Sequence, residues 1–280
     1  MKVVTRLADL RAIIGEYRRD SRTVGFVPTM GALHEGHLSL VRISRKHAQR
    51  CVVSIFVNPA QFGPQEDYGA YPRTPERDFD LLAGEGVDVV FMPDAAEVYP
   101  EGWAVHVDPG PVGKVFEGAI RPGHFAGVLT VVAKLFHMVQ PDVAVFGQKD
   151  AQQLFLIRRM VADLNFPVQI VEGDTVREAD GLALSSRNAY LSPVQRAKAT
   201  VLFRALCAGG KAVESTAHSL RRVQEAMAQV AAAEPDFSLD YATAVSEASF
   251  SEEDPLPKPA RLIIAGCLGP VRLIDNLRID

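Results

Sequence analysis

Gly25-Phe26-Val27-Pro28-Thr29-Met30-Gly31-Ala32-Leu33-His34-Glu35-Gly36-His37-Leu38-Ser39-Leu40 is the stretch that decides the fold. Its apolar run ends at Pro28, two glycines bracket His34, and His37 follows three residues on, where Leu38 and Val41 open a helix-compatible pattern. That order predicts a strand, a tight loop and a helix N-terminus. At such a junction main-chain N–H groups and the positive end of the helix dipole face outward beyond the strand, which suits a phosphate.

Working outward, the helix runs from about Gly36 to Gln49 and delivers the chain to Val52-Val53-Ser54-Ile55-Phe56-Val57, a β-branched run of strand length. The strand ends in Asn58-Pro59-Ala60-Gln61-Phe62-Gly63-Pro64, where two prolines and a glycine enforce a loop. Upstream, Leu7, Leu10, Ile13, Ile14 and Tyr17 give residues 6–19 a helical period. Downstream the spacing predicts a helix from Pro75 to Leu82, a strand from Val87 to Met92, a helix carrying Val128, Val131, Val132, Leu135, Phe136 and Val139, and a strand from Asp142 to Phe146. A helix from Leu154 to Leu164 and a strand from Val168 to Val171 complete the alternation. Strands alternating with helices imply an α/β fold, a Rossmann-like doubly wound parallel sheet.

The pattern changes after Gly173. Ser192-Pro193 is an N-cap and first helical position for a helix reaching about Leu206, and a second helix covers Leu220 to Ala232. Two strands, Asp240 to Val245 and Arg261 to Ala265, flank the charged, proline-rich Ser251 to Pro259. These elements predict a smaller α+β C-terminal domain, so that residues 1–175 and 176–280 form two domains.

With 280 residues, 48% hydrophobic and 23% charged, the chain has length for one large domain or two ordinary ones and for a buried core. A net charge of −4 supplies no global basic field, which argues against nucleic acid or an anionic membrane as partner. Any anion site must be local. The charged start, Met1-Lys2-Val3-Val4-Thr5-Arg6, does not read as a signal peptide, and no apolar run approaches the ~18 residues of a membrane span. The expected location is cytoplasmic. Cys51, Cys207 and Cys267 are scattered through apolar surroundings and read as buried thiols, not as a disulfide framework or metal site.

Four groups of residues carry potential chemistry. His34 and His37 suit a metal pair by spacing, but no third ligand accompanies them; at a helix N-terminus, with Gly31 and Gly36 permitting close approach, they suit a phosphate in transfer. Gly147-Gln148-Lys149-Asp150 follows a strand directly, so that Lys149 can meet a phosphate while Asp150 caps the next helix or faces a ribose or magnesium. Arg177 to Asn188, with Ser185, Ser186 and Arg187 in a glycine-bearing segment, is either an exposed polar loop or a flap that closes over a polyphosphate. Asn58, Gln61 and Gln153 offer amide donors and acceptors suited to a small hydroxy acid, and Arg121-Pro122-Gly123-His124-Phe125 adds a basic loop before a helix.

Six ordered stretches, Pro28 to His37, Asn58 to Phe62, Tyr71 to Thr74, Arg121 to Phe125, Phe146 to Gln153 and Ser185 to Asn188, together resemble the pantothenate synthetase (pantoate–β-alanine ligase) family of the His-x-Gly-His nucleotidyltransferase superfamily. The resemblance implies an ATP-dependent ligase that converts (R)-pantoate to a pantoyl adenylate with release of pyrophosphate. The β-alanine amine then displaces AMP to form pantothenate. It also implies a homodimer, magnesium accompanying ATP, and a C-terminal domain that acts as a lid. Carried over by position, Met30, Gly31, Ala32, Leu33, His34, Glu35, Gly36 and His37 resemble the ATP site, with Gly147, Gln148, Lys149, Asp150, Val176, Leu184, Ser185, Ser186 and Arg187 as further nucleotide contacts. His37, His34, Lys149, Ser185, Ser186 and Arg187 are the implied catalytic set; Gln61, Gln153, Asn58 and Arg121 the implied substrate contacts. No protein metal ligand is assigned. A nucleotidyltransferase that keeps the nucleotidyl group in its product, and a non-enzymatic nucleotide sensor, are the competing readings.

Overall fold

In the computed structural model, which describes residues 1–64, 66–215 and 218–280, the apolar runs form one parallel sheet. The first unit comprises residues 1–148 and 152–174. Its elements are β1 (Lys2–Val4), α1 (Leu7–Arg19), β2 (Val24–Thr29), α2 (Glu35–His47), β3 (Arg50–Ile55), α3 (Pro75–Gly84), β4 (Val89–Phe91), α4 (Ala95–Val98), α5 (Glu117–Ile120), α6 (His124–Val139), β5 (Val143–Gly147), α7 (Ala151–Asp163) and β6 (Gln169–Gly173). The strand order is β1-β4-β3-β2-β5-β6, every pairing parallel. From β2 the chain builds outward through β3 and β4 and then returns to add β5 on β2's other side. The β2/β5 pair is therefore the topological switch point, the place where open α/β sheets leave a crevice beyond the strand ends.

The central strands are valine-rich because both faces of the sheet are covered. Val24 and Phe26 join α1 and α6 in one core with Leu10, Ile14, Val128 and Phe136, while Val27 joins α2 and α3 in another with Leu38, Val41 and Leu82. One strand has no counterpart in the sequence pattern. Lys2–Val4 pairs with β4, and only three residues with a charged flank are too little pattern to announce it.

The second unit comprises residues 149–151 and 175–280. It holds α8 (Pro193–Lys198), α9 (Val201–Ser215), α10 (Leu220–Ala232) and an antiparallel sheet of β7 (Phe237–Ser246), β8 (Ala260–Leu268) and β9 (Val271–Ile279) in that order. The single helix expected from Ser192 to Leu206 is two. Thr200 donates its hydroxyl to the Ala197 carbonyl, a local bond that competes with the helical ladder where α8 gives way to α9. Strand β9 is also additional to the sequence expectation, because Asp275 and Asn276 interrupt its apolar alternation. Both are buried and held by arginines: Asp275 by Arg177, Asn276 by Arg261. The three cysteines are free, Cys51 buried and the others half-buried. Among the described residues no helix is long and apolar enough to cross a membrane.

Candidate active site

The His34–His37 segment follows the carboxyl end of β2, and Gly147 and Gln148 stand at the carboxyl end of β5, so the two strands of the switch point deliver them side by side. The loop between β2 and α2 is held in an unusual backbone course. Gly31 has φ +83° and Ala32 φ +50°, two successive residues in a region that L side chains rarely adopt. A Cβ on Gly31 would also lie 3.0 Å from Ile55 and 3.1 Å from the Asp78 carboxylate.

Asp78 is what fixes that course. Its carboxylate, 1% exposed, accepts N–H bonds from Ala32 and Leu33, both at 2.9 Å, and the Thr74 hydroxyl at 3.1 Å. Thr29 ties the loop to the next strand, donating its hydroxyl to the Ser54 carbonyl at 2.7 Å while accepting from Gly31 N–H. Sequence reasoning misses Asp78. Its signal is an acidic residue in the first turns of a helix after a Pro-Arg-Thr-Pro run, which residue order alone does not connect to a loop 45 residues earlier.

His34 is the N-cap of α2, and its N–H donates to His37 Nδ1 at 3.3 Å. A main-chain N–H can only donate, so Nδ1 of His37 is an acceptor and the ring proton of the neutral tautomer resides on Nε2. His37 thus presents an N–H donor from the first turn of a helix. The two rings lie 4.1 Å apart between centroids. Glu35 and Gly36 occupy the first helical turn, where main-chain N–H groups have no carbonyl within the helix. The Glu35 carboxylate pairs with Arg42, which also holds Glu85, and that pairing draws its pKa down.

At the end of β3, Asn58 and Gln61 are brought together. Asn58, 1% exposed, donates to Gln61 Oε1 at 3.1 Å and to the Gly127 carbonyl at 3.2 Å, and accepts from Tyr99 Oη at 2.7 Å and Ala60 N–H at 3.2 Å. Gln61 Nε2 points to Met30 Sδ at 3.2 Å, which links the β3 loop to the β2 loop. The start of α6 packs against this loop without a gap: a Cβ on Gly127 would fall 2.1 Å from the Ala60 carbonyl oxygen. A cleft of about 240 Å³ opens beside Met30 and Gly31, walled by Phe56, Tyr68 and Met92 among others.

Arg121 is committed to protein partners. Its guanidinium meets Glu66 through two bonds of 2.8 and 2.6 Å, drawing the Glu66 pKa down, and reaches His124 Nε2 at 3.1 Å. Since Arg can only donate, Nε2 accepts and the His124 proton is on Nδ1, which donates to the Gln61 carbonyl at 2.9 Å. Burial, reinforced by the Arg121 charge, lowers the His124 pKa to about 4, so the ring is neutral at physiological pH. Gln153 is half-buried in the first turn of α7. Its neighbour Gln152 is buried and structural, accepting from Glu117 N–H and donating to the Val112 and Val115 carbonyls.

Gly147 and Gln148 belong to the first unit, where Gln148 Nε2 donates to Asp174 at 3.2 Å. Lys149 and Asp150 fall in the second unit, and Asn276 donates to the Lys149 carbonyl at 2.8 Å. Val176 and Leu184 close a hairpin through Leu184 N–H to the Val176 carbonyl, and Gly181, at φ +93°, turns it. Ser185, Ser186 and Arg187 lie in ordered structure, not in an irregular loop. Ser185 Oγ accepts from Arg187 N–H and caps a short 3₁₀ turn, Ser186–Tyr190, while Asn188 Nδ2 donates back to the Ala183 carbonyl. The hairpin is anchored by Arg177, whose guanidinium bonds Asp275 at 2.6 and 2.9 Å and the Gly181 and Asn276 carbonyls, and lies 4.5 Å over the Phe203 ring.

The model of the pantoate–β-alanine ligase family matches residues 2–278. The chain belongs to that family. It is 55% identical over 258 residues to the pantothenate synthetase of Acidothermus cellulolyticus, spanning 91% of this chain and 84% of that protein. To the pantothenate synthetase of Thermus thermophilus it is 51% identical over 287 residues, covering 100% and 99%. The solved structure of the Thermus enzyme superposes with a TM-score of 0.94 at 50% identity, covering 99% of both chains. A pantoate–β-alanine ligase from Francisella tularensis, solved with β-γ ATP and β-alanine, superposes with a TM-score of 0.83 at 33% identity, over 99% of this chain and 97% of that one. The expected α/β class, with its smaller C-terminal α+β unit, is the fold of this family.

Proposed function

We propose that this pantoate–β-alanine ligase works in two steps on the residues described above: a carboxylate oxygen of (R)-pantoate attacks the α-phosphorus of ATP, pyrophosphate leaves, and the β-alanine amine then attacks the acyl carbon of pantoyl adenylate to release AMP and pantothenate. The observation that carries the reading is the β2–α2 junction at the switch point, where His37 offers Nε2–H from the first turn of a helix beside the end of β5.

Adenylation needs alignment and charge neutralisation more than covalent help from the protein. Met30 through His37 supply main-chain and imidazole donors for the phosphates, with Gly147 and Gln148 at the neighbouring strand end. The second unit contributes Lys149, Asp150, Val176, Leu184, Ser185, Ser186 and Arg187, acting as the lid over the nucleotide-binding unit. Gln61 and Gln153 meet pantoate. A closed lid also keeps water from the adenylate, an anhydride that hydrolyses readily. Magnesium enters as the counterion of ATP. The enzyme is proposed to be a cytoplasmic homodimer, for which sedimentation velocity gives a direct test of the dimer.

Pyrophosphate release measured with ATP and pantoate, with and without β-alanine, tests the assignment. The reading requires pantoate-dependent pyrophosphate in both cases and free AMP with β-alanine; formation of ADP would contradict it.

A further inference from the structure

Amide side chains can meet a ligand as donor or as acceptor, and the hydrogen-bond partners decide which. For Asn58 two main-chain groups settle the matter: Ala60 N–H can only donate, so it faces Oδ1, and the Gly127 carbonyl can only accept, so it faces Nδ2. The Tyr99 hydroxyl, 2.7 Å from Oδ1, is then a donor, and the second N–H of Asn58 is directed at Gln61. The atom of Gln61 that receives it must be Oε1. Nε2 is consequently turned the other way, toward Met30 Sδ, a weak acceptor that a better one displaces.

We infer that Tyr99 and Asn58 are positioning residues that set the polarity of Gln61, so that its carboxamide meets substrate as a hydrogen-bond donor and selects an acceptor oxygen there. The inference rests on the reading that Gln61 meets pantoate. Tyr99 is built for the task. It is held in an aromatic nest with Phe56 at 6.3 Å and Trp103 at 4.6 Å between ring centroids, and burial pushes its phenol pKa up, so the hydroxyl keeps its proton. The main chain of Gln61 is pinned independently, by His124 Nδ1–H to its carbonyl and by the close passage of Gly127 against Ala60. Backbone and amide are thus fixed by separate devices.

Steady-state kinetics on the full-length protein with Asn58→Asp, Tyr99→Phe and Gln61→Ala separate the outcomes. The carboxylate introduced by Asn58→Asp only accepts, so Gln61 turns Nε2 inward and shows Oε1 to the ligand; the KM for pantoate is expected to rise about tenfold while the KM for ATP stays within about twofold. Tyr99→Phe keeps the ring packing and loses only the donor, and is expected to raise the pantoate KM about threefold with an unchanged melting temperature. If Gln61→Ala raises the pantoate KM but neither Asn58→Asp nor Tyr99→Phe does, the polarity inference is overturned and the binding role of Gln61 stands. A parallel rise of the pantoate and ATP KM values with a loss of thermal stability in Tyr99→Phe would make the role of Tyr99 structural only and overturns the inference as well. An unchanged pantoate KM in Gln61→Ala would overturn the binding role and the inference together.

Discussion

Two loops of this protein, one in each unit, are proposed to meet ATP, and they are held by opposite means. The Gly31–Leu33 loop is fixed by one buried carboxylate, Asp78, that accepts two main-chain N–H groups and a hydroxyl. The Val176–Leu184 hairpin, with the turn at Ser186, is fixed by guanidinium groups: Arg177 to Asp275 in the interior, and Arg196 to Glu178 and Asp180 nearer solvent. The difference teaches a division of labour. A carboxylate under the first loop holds its main chain from behind, and the proposed function directs the first-turn N–H dipoles of the helix that follows at phosphate. The second loop is anchored from Arg177 and Arg196, on either side in sequence of the turn that carries Ser186 and Arg187.

Breaking the second loop at its interior pair has the largest expected effect. Arg177→Leu leaves the Asp275 carboxylate, 2% exposed, without its guanidinium, at a cost of about 3–5 kcal/mol; chemical denaturation of the variant measures it, and Asp275→Asn, which keeps an acceptor, is expected to lose less. Next comes Asp78→Ala, which orphans the Ala32 and Leu33 N–H groups and is expected to cost about 2–4 kcal/mol, with a raised KM for ATP. Loss of stability without any change toward ATP would mean that the loop geometry is not what binds the nucleotide.

A pH titration sharpens the comparison, because the β3 loop depends on a neutral imidazole. The folded pKa of His124, about 4, lies below its ordinary value of 6.5, so between those values the unfolded chain binds the extra proton. Stability is therefore expected to fall as pH drops from about 6.5 toward 4 and to level off below, and His124→Gln should flatten that window. The smallest effect is expected at the exposed side of the hairpin: Arg196→Ala should change stability by roughly 1 kcal/mol or less and fade further in high salt.

Much of this is legible from residue order. Periodicity exposes most of the sheet because fully covered parallel strands are continuous apolar runs, and Gly31, His34, Gly36 and His37 mark the switch point because a strand–loop–helix junction leaves a local signature. What is hidden depends on pairing at a distance. Strand β9 conceals itself behind Asp275 and Asn276, whose burial makes sense only once Arg177 and Arg261 are in place. The partners of Arg121 and Asn58 are equally hidden in residue order: Glu66 lies across the Arg121 guanidinium, and Tyr99, Ala60, Gly127 and Gln61 surround the Asn58 amide. Asp78 is invisible as a loop anchor for the same reason.

The central claim is that the pantoate carboxylate attacks the α-phosphorus at the β2–α2 junction. Turnover of ATP and β-alanine with pantoate labelled by oxygen-18 in its carboxylate tests it directly, with mass spectrometry of the nucleotide product. One labelled oxygen per turnover is expected in AMP; label in inorganic phosphate alongside ADP would contradict the account.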